Sequence, residues 1–278
     1  MPDKPGVPKS QFAKILLEPF IKFTPFFEIS DAVIFNNDCL EVLNSIQENC
    51  IDMIFADPPY MLSNNGFTCQ NGKMVNVNKG KWDKSRGFDN DTAFHNEWIS
   101  ACRRVLKPEG TIWISGTYHS IYQCGYLLQK NNFHILNDIS WFKPNASPNL
   151  SCRFFTASHE TLLWARKDKK AKHTFNYGEM KNGHFPEDKL KKENTQMRSV
   201  WSISTPKNDE KEYGKHPTQK PLDLLRRIIL ASTNENDIVL DPFCGSGTTG
   251  LACKSHNRSF IGIEIDKNYC DLARKRLS

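Results

Sequence analysis

Asp57-Pro58-Pro59-Tyr60 is the stretch of this chain best equipped for chemistry. An ionised Asp57 can only accept hydrogen bonds. The two prolines fix their own backbone and supply no N–H, so the carbonyls of the turn are stiffly held acceptors. Tyr60 adds an aromatic face. Two acceptors beside a stacking surface suit a planar ligand that carries an amino group. Six mostly apolar residues, Ile51-Asp52-Met53-Ile54-Phe55-Ala56, lead into the motif and read as a buried strand. Neither proline can donate to a β-ladder, so that strand must stop at Asp57. The motif is thereby left at the carboxyl edge of a sheet, where open α/β folds keep their ligands. A bare D-P-P turn capped by its Asp is common. The tyrosine and a second motif shift the balance toward chemistry.

The second motif is Asp241-Pro242-Phe243-Cys244-Gly245-Ser246-Gly247-Thr248-Thr249-Gly250, between a strand and a helix. Gly245, Gly247 and Gly250 spell G-x-G-x-x-G, and the acidic Glu264 ends the next strand, as in a dinucleotide fingerprint. An NAD enzyme is therefore one reading. Asp241 counts against it, because a carboxylate ahead of the turn opposes a pyrophosphate and suits a cationic amine. A ligand with an adenosine, a cationic amino-acid end and no phosphate fits better. Glu264 can take its ribose hydroxyls, Gly245 and Gly247 let it approach the backbone, and Asp241 faces the cationic end. S-adenosylmethionine has that description.

The elements that must position these motifs follow from periodicity. Residues 33–36, 51–56, 111–115, 135–142, 160–165, 238–241 and 260–264 read as seven strands. Helical spacing appears over 40–46, at Phe94, Trp98, Cys102 and Val105, and over 120–130 and 222–231, with Lys107-Pro108-Glu109-Gly110 as a stop. Strands that mostly alternate with helices predict an α/β, doubly wound sheet. The strands over 135–142 and 160–165 are expected to form an antiparallel pair that closes one edge. Residues 1–30 read as an N-terminal extension packed on the body. Residues 61–90 are too long for an ordinary connection, which points to a functional loop. Its Lys79, Lys81, Trp82 and Lys84 could close over a displaced base.

Composition excludes several classes. No apolar run approaches membrane-spanning length, and residues 1–10 lack the apolar core of a secretory signal, so a cytoplasmic location is expected. The nine cysteines include no C-x-x-C pair, which favours reduced thiols and argues against a zinc site. The net charge of +6 is concentrated, because residues 166–220 hold fourteen Lys and Arg against eight Asp and Glu. The remainder of the chain balances to zero, so the excess marks one segment as a candidate surface for a polyanion. That segment includes 168–214, where periodicity is lost.

Together the two motifs resemble the β-group of DNA amino-methyltransferases, in which D-P-P-Y precedes F-x-G-x-G. The likeness covers residues 33–278 and is nearest to the DpnA-type adenine methyltransferases of restriction–modification systems. The stretches Lys79-Gly80-Lys81-Trp82-Asp83-Lys84 and Ser147-Pro148-Asn149-Leu150-Ser151-Cys152-Arg153 also look like that subgroup. The resemblance implies a seven-stranded, Rossmann-like methyltransferase fold with circularly permuted motif order and an inserted target-recognition region. On that basis 31–167 is the catalytic half, 168–214 the recognition region and 215–278 the cofactor-binding half. It implies Asp57, Pro58, Pro59 and Tyr60 as catalytic. It further implies that Asp38, Cys39, Asp57, Asp241, Phe243, Gly245, Ser246, Gly247, Thr248, Thr249 and Glu264 hold the cofactor. His216, Thr218, Gln219 and Lys220, from His216-Pro217-Thr218-Gln219-Lys220-Pro221, would clamp it. Asp57 and Glu264 are expected at adjacent strand ends. Base readout would use side chains such as Arg198 or Asn194, with lysines on phosphates.

The chemistry needs no enzyme nucleophile. If Asp57 and the Pro58 carbonyl each accept one N–H of an exocyclic amine, its lone pair is freed to attack the sulfonium methyl, while Tyr60 stacks on the base. No cysteine follows a proline, so cytosine-C5 chemistry is not indicated. A paired base cannot reach this edge and must be flipped or already single-stranded. The leading reading is adenine-N6 methylation of DNA. The same chemistry on RNA or on cytosine-N4 comes second, since cytosine-N4 enzymes more often carry Ser where Asp57 stands. A DNA-binding protein without catalysis is third, and the NAD reading is a distant fourth. Partners expected are DNA, a cognate restriction endonuclease, a second methyltransferase and a second copy of the chain.

Overall fold

A computed structural model describes residues 23–63, 67–70, 73–76, 79–183, 185, 188, 190, 192 and 195–278, with backbone alone for 67–70, 73–76 and 81. Alternation of side chains across each strand builds the core in two layers. In β3 (Ile51–Ala56), Ile54 and Ala56 face one layer, while Met53 and Phe55 face the other. The first layer is covered by α1 (Cys39–Ser45), α2 (Phe88–Val105) and α3 (Ile121–Lys130), through Leu43, Trp98, Cys102 and Leu127 among others. The second is covered by α5 (Leu222–Ser232), α6 (Thr248–Lys254) and α7 (Lys267–Leu277), through Leu225, Ile228, Ala252 and Ala273. A short α4 (Tyr177–Asn182) packs against α5.

The remaining strands of the sheet are β1 (Phe27–Glu28), β2 (Ala32–Asn36), β6 (Leu106–Gly116), β7 (His134–Phe142), β8 (His159–Arg166), β9 (Val200–Ser202), β10 (Ile238–Asp241) and β11 (Ser259–Glu264). Their order is β1-β2-β11-β10-β3-β6-β8-β7-β9. The run from β2 to β6 is parallel, and β8 pairs antiparallel with both β6 and β7. All seven strands read from the sequence are in this sheet, as in a doubly wound methyltransferase fold. The two additions are edge strands too short to carry a period: β1 antiparallel to β2, and β9 parallel to β7. The antiparallel pair therefore does not close the edge, because β8 is internal and β9 lies outside β7.

Three further differences have local causes. Residues 61–90 were expected as one long loop, yet they contain the hairpin β4 (Phe67–Gln70) and β5 (Lys73–Asn76), a 3-10 turn at Lys81–Asp83, and the start of α2. The first turn of α2 is polar, so its apolar period becomes visible only from Phe94. Lys107-Pro108-Glu109-Gly110 ends no element by itself. The helix stops at Val105, and these residues form a bulge in β6, between the pairings Ile51↔Leu106 and Met53↔Thr111. Of the expected N-terminal extension, Phe26, Phe27 and Ile29 pack against the second layer, and residues 1–22 lie outside the described residues.

Within 168–214, one buried ion pair ties the irregular chain to the core. Arg227 of α5 donates to Asp188 at 2.9 and 2.5 Å, and the two side chains are 1% and 2% exposed. The guanidinium also lies 4.2 Å from the Trp201 ring centre. Removing one member of such a pair strands the other charge away from water. Asp188→Ala should therefore cost about 3–5 kcal/mol, read as a lower urea midpoint with unchanged slope. A loss below about 1 kcal/mol would show that the pair is dispensable.

Candidate active site

Three strand ends build the floor of the site. Parallel pairing of Val239 with Met53 and of Asp241 with Gly262 brings Asp57, Asp241 and Glu264 to one edge. The expectation that Asp57 and Glu264 end adjacent strands is corrected, because β10 and its Asp241 stand between them. Beyond these ends lies a cavity of about 760 Å³, bordered by Asp38, Cys39, Asp57, Pro58, Pro59, Tyr60, Phe243, Gly245 and Glu264.

The glycine turn forms one wall. Gly245 (φ 49°) and Gly247 (φ 76°) adopt the left-handed region that favours glycine. A Cβ on Gly245 would stand 3.2 Å from the His216 ring, and one on Gly247 would stand 2.9 Å from Ala273. Gly245 donates its N–H to Glu264 Oε2 at 2.9 Å, and Asp266 donates to Oε1 at 2.9 Å. Glu264 borders the cavity, and burial pushes its carboxyl up to about 7. Asp38 caps α1 by accepting from the Leu40 and Glu41 N–H groups. Cys39 is buried, which pushes its thiol up to about 12 and makes it inert.

Asp241 is placed differently from expectation. It is 2% exposed, accepts from Phe243 N–H at 3.0 Å and from Thr249 Oγ1 at 2.5 Å, and does not border the main cavity. Burial pushes its carboxyl up to about 7. The short glycine turn folds back over the strand end, so Asp241 braces the loop. It borders only a minor cavity of about 30 Å³, shared with Thr218, Gln219, Lys220 and Ser246. Arg276 holds the far side of the turn, donating to Ser246 O, Ser246 Oγ and Thr248 Oγ1 at 2.7–3.0 Å.

The segment before α5 closes over this wall. His216 stacks on Trp82 with centroids 6.2 Å apart and meets Tyr269 edge-on at 4.2 Å. Burial, with Lys220 nearby, drives its imidazole down to about 3, so it is neutral. Its Nδ1 accepts the Thr218 N–H, and Gln219 donates to the Glu210 carbonyl at 2.8 Å.

Lys220 reaches the D-P-P-Y motif. Its ammonium lies 2.5 Å from Asp57 Oδ2 and 3.5 Å from Glu160 Oε2. The Tyr60 hydroxyl donates to Asp57 Oδ1 at 2.5 Å, with Glu160, Ser115 and Lys220 at 3.1–3.2 Å. Lys143 completes the group 3.0 Å from the other Glu160 oxygen. Two carboxylates thus face two ammoniums. Burial pulls Lys220 down, but Asp57 and Glu160 outweigh it and the net shift is upward. Burial opposes ionisation of Glu160 too, yet Lys220 and Lys143 bring it down to about 2. Burial together with Asp57 and Glu160 holds the Tyr60 hydroxyl protonated.

Glu160, Ser115, Lys143 and Asp83 escaped the sequence reading. Asp83 accepts from Tyr60 N–H, Leu62 N–H and Ser63 Oγ, fixing the chain after the motif. A carboxylate opening the apolar strand β8 was the one available signal for Glu160. Among the residues expected to meet DNA, Lys79 is half-buried with its ammonium 5.6 Å from the Tyr60 ring centre, and Trp82 and Lys84 border the cavity. Arg198 is exposed, the Lys81 side chain is not described, and Asn194 lies outside the described residues. Among the described residues, no group of three or more His, Cys, Asp or Glu is placed to hold a metal.

Residues 51–275 match the family model for DNA methylase. The chain belongs to this family. It is 51% identical over 255 residues to Type II methyltransferase M2.LlaDCHI of Lactococcus lactis subsp. cremoris, covering 91% of this chain and 92% of that one. Type II methyltransferase M2.DpnII of Streptococcus pneumoniae is 50% identical over 254 residues, with the same coverage of each chain. The crystal structure of the M1.HpyAVI-SAM complex superposes with TM-score 0.65 at 34% identity, over 89% of this chain and 99% of that one. The PvuII DNA methyltransferase (cytosine-N4-specific) gives TM-score 0.72 at 19% identity, over 92% and 90%, a likeness of fold alone.

This DNA methylase uses S-adenosylmethionine. The site fits that ligand, because the side-chain-free Gly245 cradle and the Glu264 carboxyl border one cavity. A folded state that holds the Glu264 and Asp241 protons up to about pH 7 loses stability as pH rises from about 4 to 7, since unfolded carboxyls ionise near 4. Ligand hydroxyls donating to Glu264 favour its ionised form and reverse that bias. Cofactor affinity should therefore fall as pH drops below about 7, approaching tenfold per pH unit. Calorimetry across this range checks it, and Glu264→Gln should bind weakly with a flatter profile.

Proposed function

We propose that this DNA methylase transfers a methyl group to the exocyclic N6 of adenine within a short DNA sequence, by direct in-line attack on a flipped or single-stranded base. One observation carries the reading: Asp57, Pro58 and Tyr60 border the same cavity as the glycine wall and Glu264. Bound S-adenosylmethionine supplies the electrophilic methyl on a sulfonium. Asp38, Cys39, Phe243, Gly245 and Glu264 hold it from the main cavity, with His216 and Thr218 over the glycine turn.

Asp57 and the Pro58 carbonyl accept the two N–H bonds of the amine and free its lone pair. Both Asp57 oxygens are engaged before substrate arrives, so the amine must take over one of them. Oδ1 is the economical choice, because the displaced Tyr60 hydroxyl finds Ser115 and Glu160 at 3.2 and 3.1 Å. Burial raises the Asp57 carboxyl, and Lys220, staying on Oδ2, opposes that shift and favours the ionised form as positive charge develops on the amine. Lys220 is thus better suited to holding the catalytic carboxylate than to clamping the cofactor. The Tyr60 ring then stacks on the base.

An Asp at position 57 favours adenine, while the likeness of fold to a cytosine-N4-specific enzyme makes cytosine-N4 the second reading. Sequence recognition is assigned to 168–214, between a catalytic half (31–167) and a cofactor half (215–278), with phosphate contacts from its lysines. The Type II names of the relatives support a restriction–modification setting; a cognate endonuclease, a second methyltransferase and a second copy of the chain are the partners proposed with it. Among the described residues no helix is long and apolar enough to cross a membrane, consistent with a cytoplasmic site of action.

Modified-base sequencing of DNA from expressing cells tests the reaction, and N6-methyladenine at one short sequence is the expected product. Asp57→Ala should lower the single-turnover rate by about 10²–10³ while cofactor affinity stays near the parent's. A near-parental rate would remove Asp57 from the chemistry. DNA affinity should fall steeply with salt, and neutralising Lys169, Lys170, Lys172 and Lys207 should flatten that slope. An unchanged slope would put the DNA elsewhere.

A further inference from the structure

Beyond Lys143, the connection between β7 and β8 takes no part in the ion cluster around Asp57. Its phenylalanines are conspicuous, since Phe155 is 98% exposed and Phe154 is 67% exposed. The segment that carries them is built, not slack. Asn149 donates from Nδ2 to the Phe154 carbonyl at 2.8 Å, and its Oδ1 accepts from Ser151 N–H and Oγ at 3.0 and 2.8 Å. Lys143 N–H closes the base of the loop on the Ser158 carbonyl at 2.7 Å. Asn145 pins one flank to Thr205 through two bonds, at 3.0 and 3.2 Å. A loop ordered by its own polar groups, with two phenyl rings left in water, is set up to receive something.

Where the loop sits says what. Thr161 pairs with Gly116 at the carboxyl end of β6, so β8 begins, and the loop ends, at the edge that carries Asp57. Glu160, two residues past the loop, touches the Tyr60 hydroxyl. Tyr118, in the turn after β6, is 59% exposed and adds a third ring on that edge. Residues 144–158 contain Arg153 and no Asp or Glu, so the loop carries one unopposed positive charge, while Lys143 at its base is paired with Glu160. Exposed rings, a guanidinium and no acid match a single-stranded nucleic acid, whose bases stack on aromatic faces and whose phosphates seek cations.

We propose that residues 143–158 form a DNA-stacking platform, in which Phe154 and Phe155 engage unpaired bases next to the target while Arg153 meets the backbone. This rests on the DNA-methylating reading above and adds to it a contact surface outside 168–214. Stacking on a preformed platform would help hold the strand open while the target base enters the cavity.

The test uses the full chain and two probes, a labelled single-stranded oligothymidine and a fully paired duplex of the same length. Phe154→Ala/Phe155→Ala should weaken oligothymidine binding by about tenfold or more. Its salt slope should stay unchanged, because no charge is removed, whereas Arg153→Ala should lower the slope. Replacement of both phenylalanines by Trp should restore binding. Cofactor titration and thermal midpoint should match the parent in every variant. Parental oligothymidine affinity in the double Ala variant overturns the proposal. So does a changed sedimentation profile with intact DNA binding, which would make the loop a protein–protein surface. Methylation mapping of the parent tests the reaction separately, so a loop that does not bind DNA and a chain that does not methylate it are told apart.

Discussion

The contact between Lys220 and Asp57 is the interaction on which the site depends. A carboxylate as buried as Asp57 would ordinarily take up a proton and lose its charge. Lys220 at 2.5 Å opposes that, and Glu160 and Lys143 balance Lys220 in turn. Removing any one member leaves an odd charge in a dry place, so the four act as a unit. The unit also fixes geometry, because it joins the end of β3, the end of β7, the start of β8 and the segment before α5. The acceptor that a substrate amine needs is therefore oriented before any substrate arrives.

Much of this was legible in sequence, and the rest was hidden for physical reasons. Several of the strands, such as 51–56 before Asp57-Pro58 and 111–115 before Gly116, announced themselves as apolar runs with a sharp stop, and the glycine turn did so through its spacing. β1 and β9, with two and three residues, are too short to show a period. Glu160 was missed because its meaning comes chiefly from Tyr60 and Lys220, which lie far from it in the chain, and a carboxylate opening an apolar strand is a weak signal alone. Asp241 was found, but its hydrogen-bond partners were not. Spacing put it beside the glycine turn, whereas Thr249 and Phe243, which donate to it, are brought there by the fold of the turn.

The wall facing the cofactor cavity and the wall bearing the catalytic motif are held by different means. Glycine backbone, a neutral His216 and the half-filled acceptors of Glu264 make the first wall a set of shaped contacts with little fixed charge. The second is a cluster of paired ions. That division suits a reaction in which one ligand must be bound and released while the other must be activated.

The strand order has a consequence for how the protein comes to exist. β10 and β11 are inserted between β2 and β3, so the side chain of Asn36 reaches the Glu264 carbonyl across 228 residues. During synthesis β2 and β3 emerge early, each lacking the neighbour that will cover its inner edge. Contacts of such sequence separation form slowly, and unpaired edges in waiting chains invite misassembly. The sheet can close only after β10 and β11 have been made. A nascent chain therefore cannot carry a completed floor under Asp57 until β10 and β11 have taken their places in the middle of the sheet.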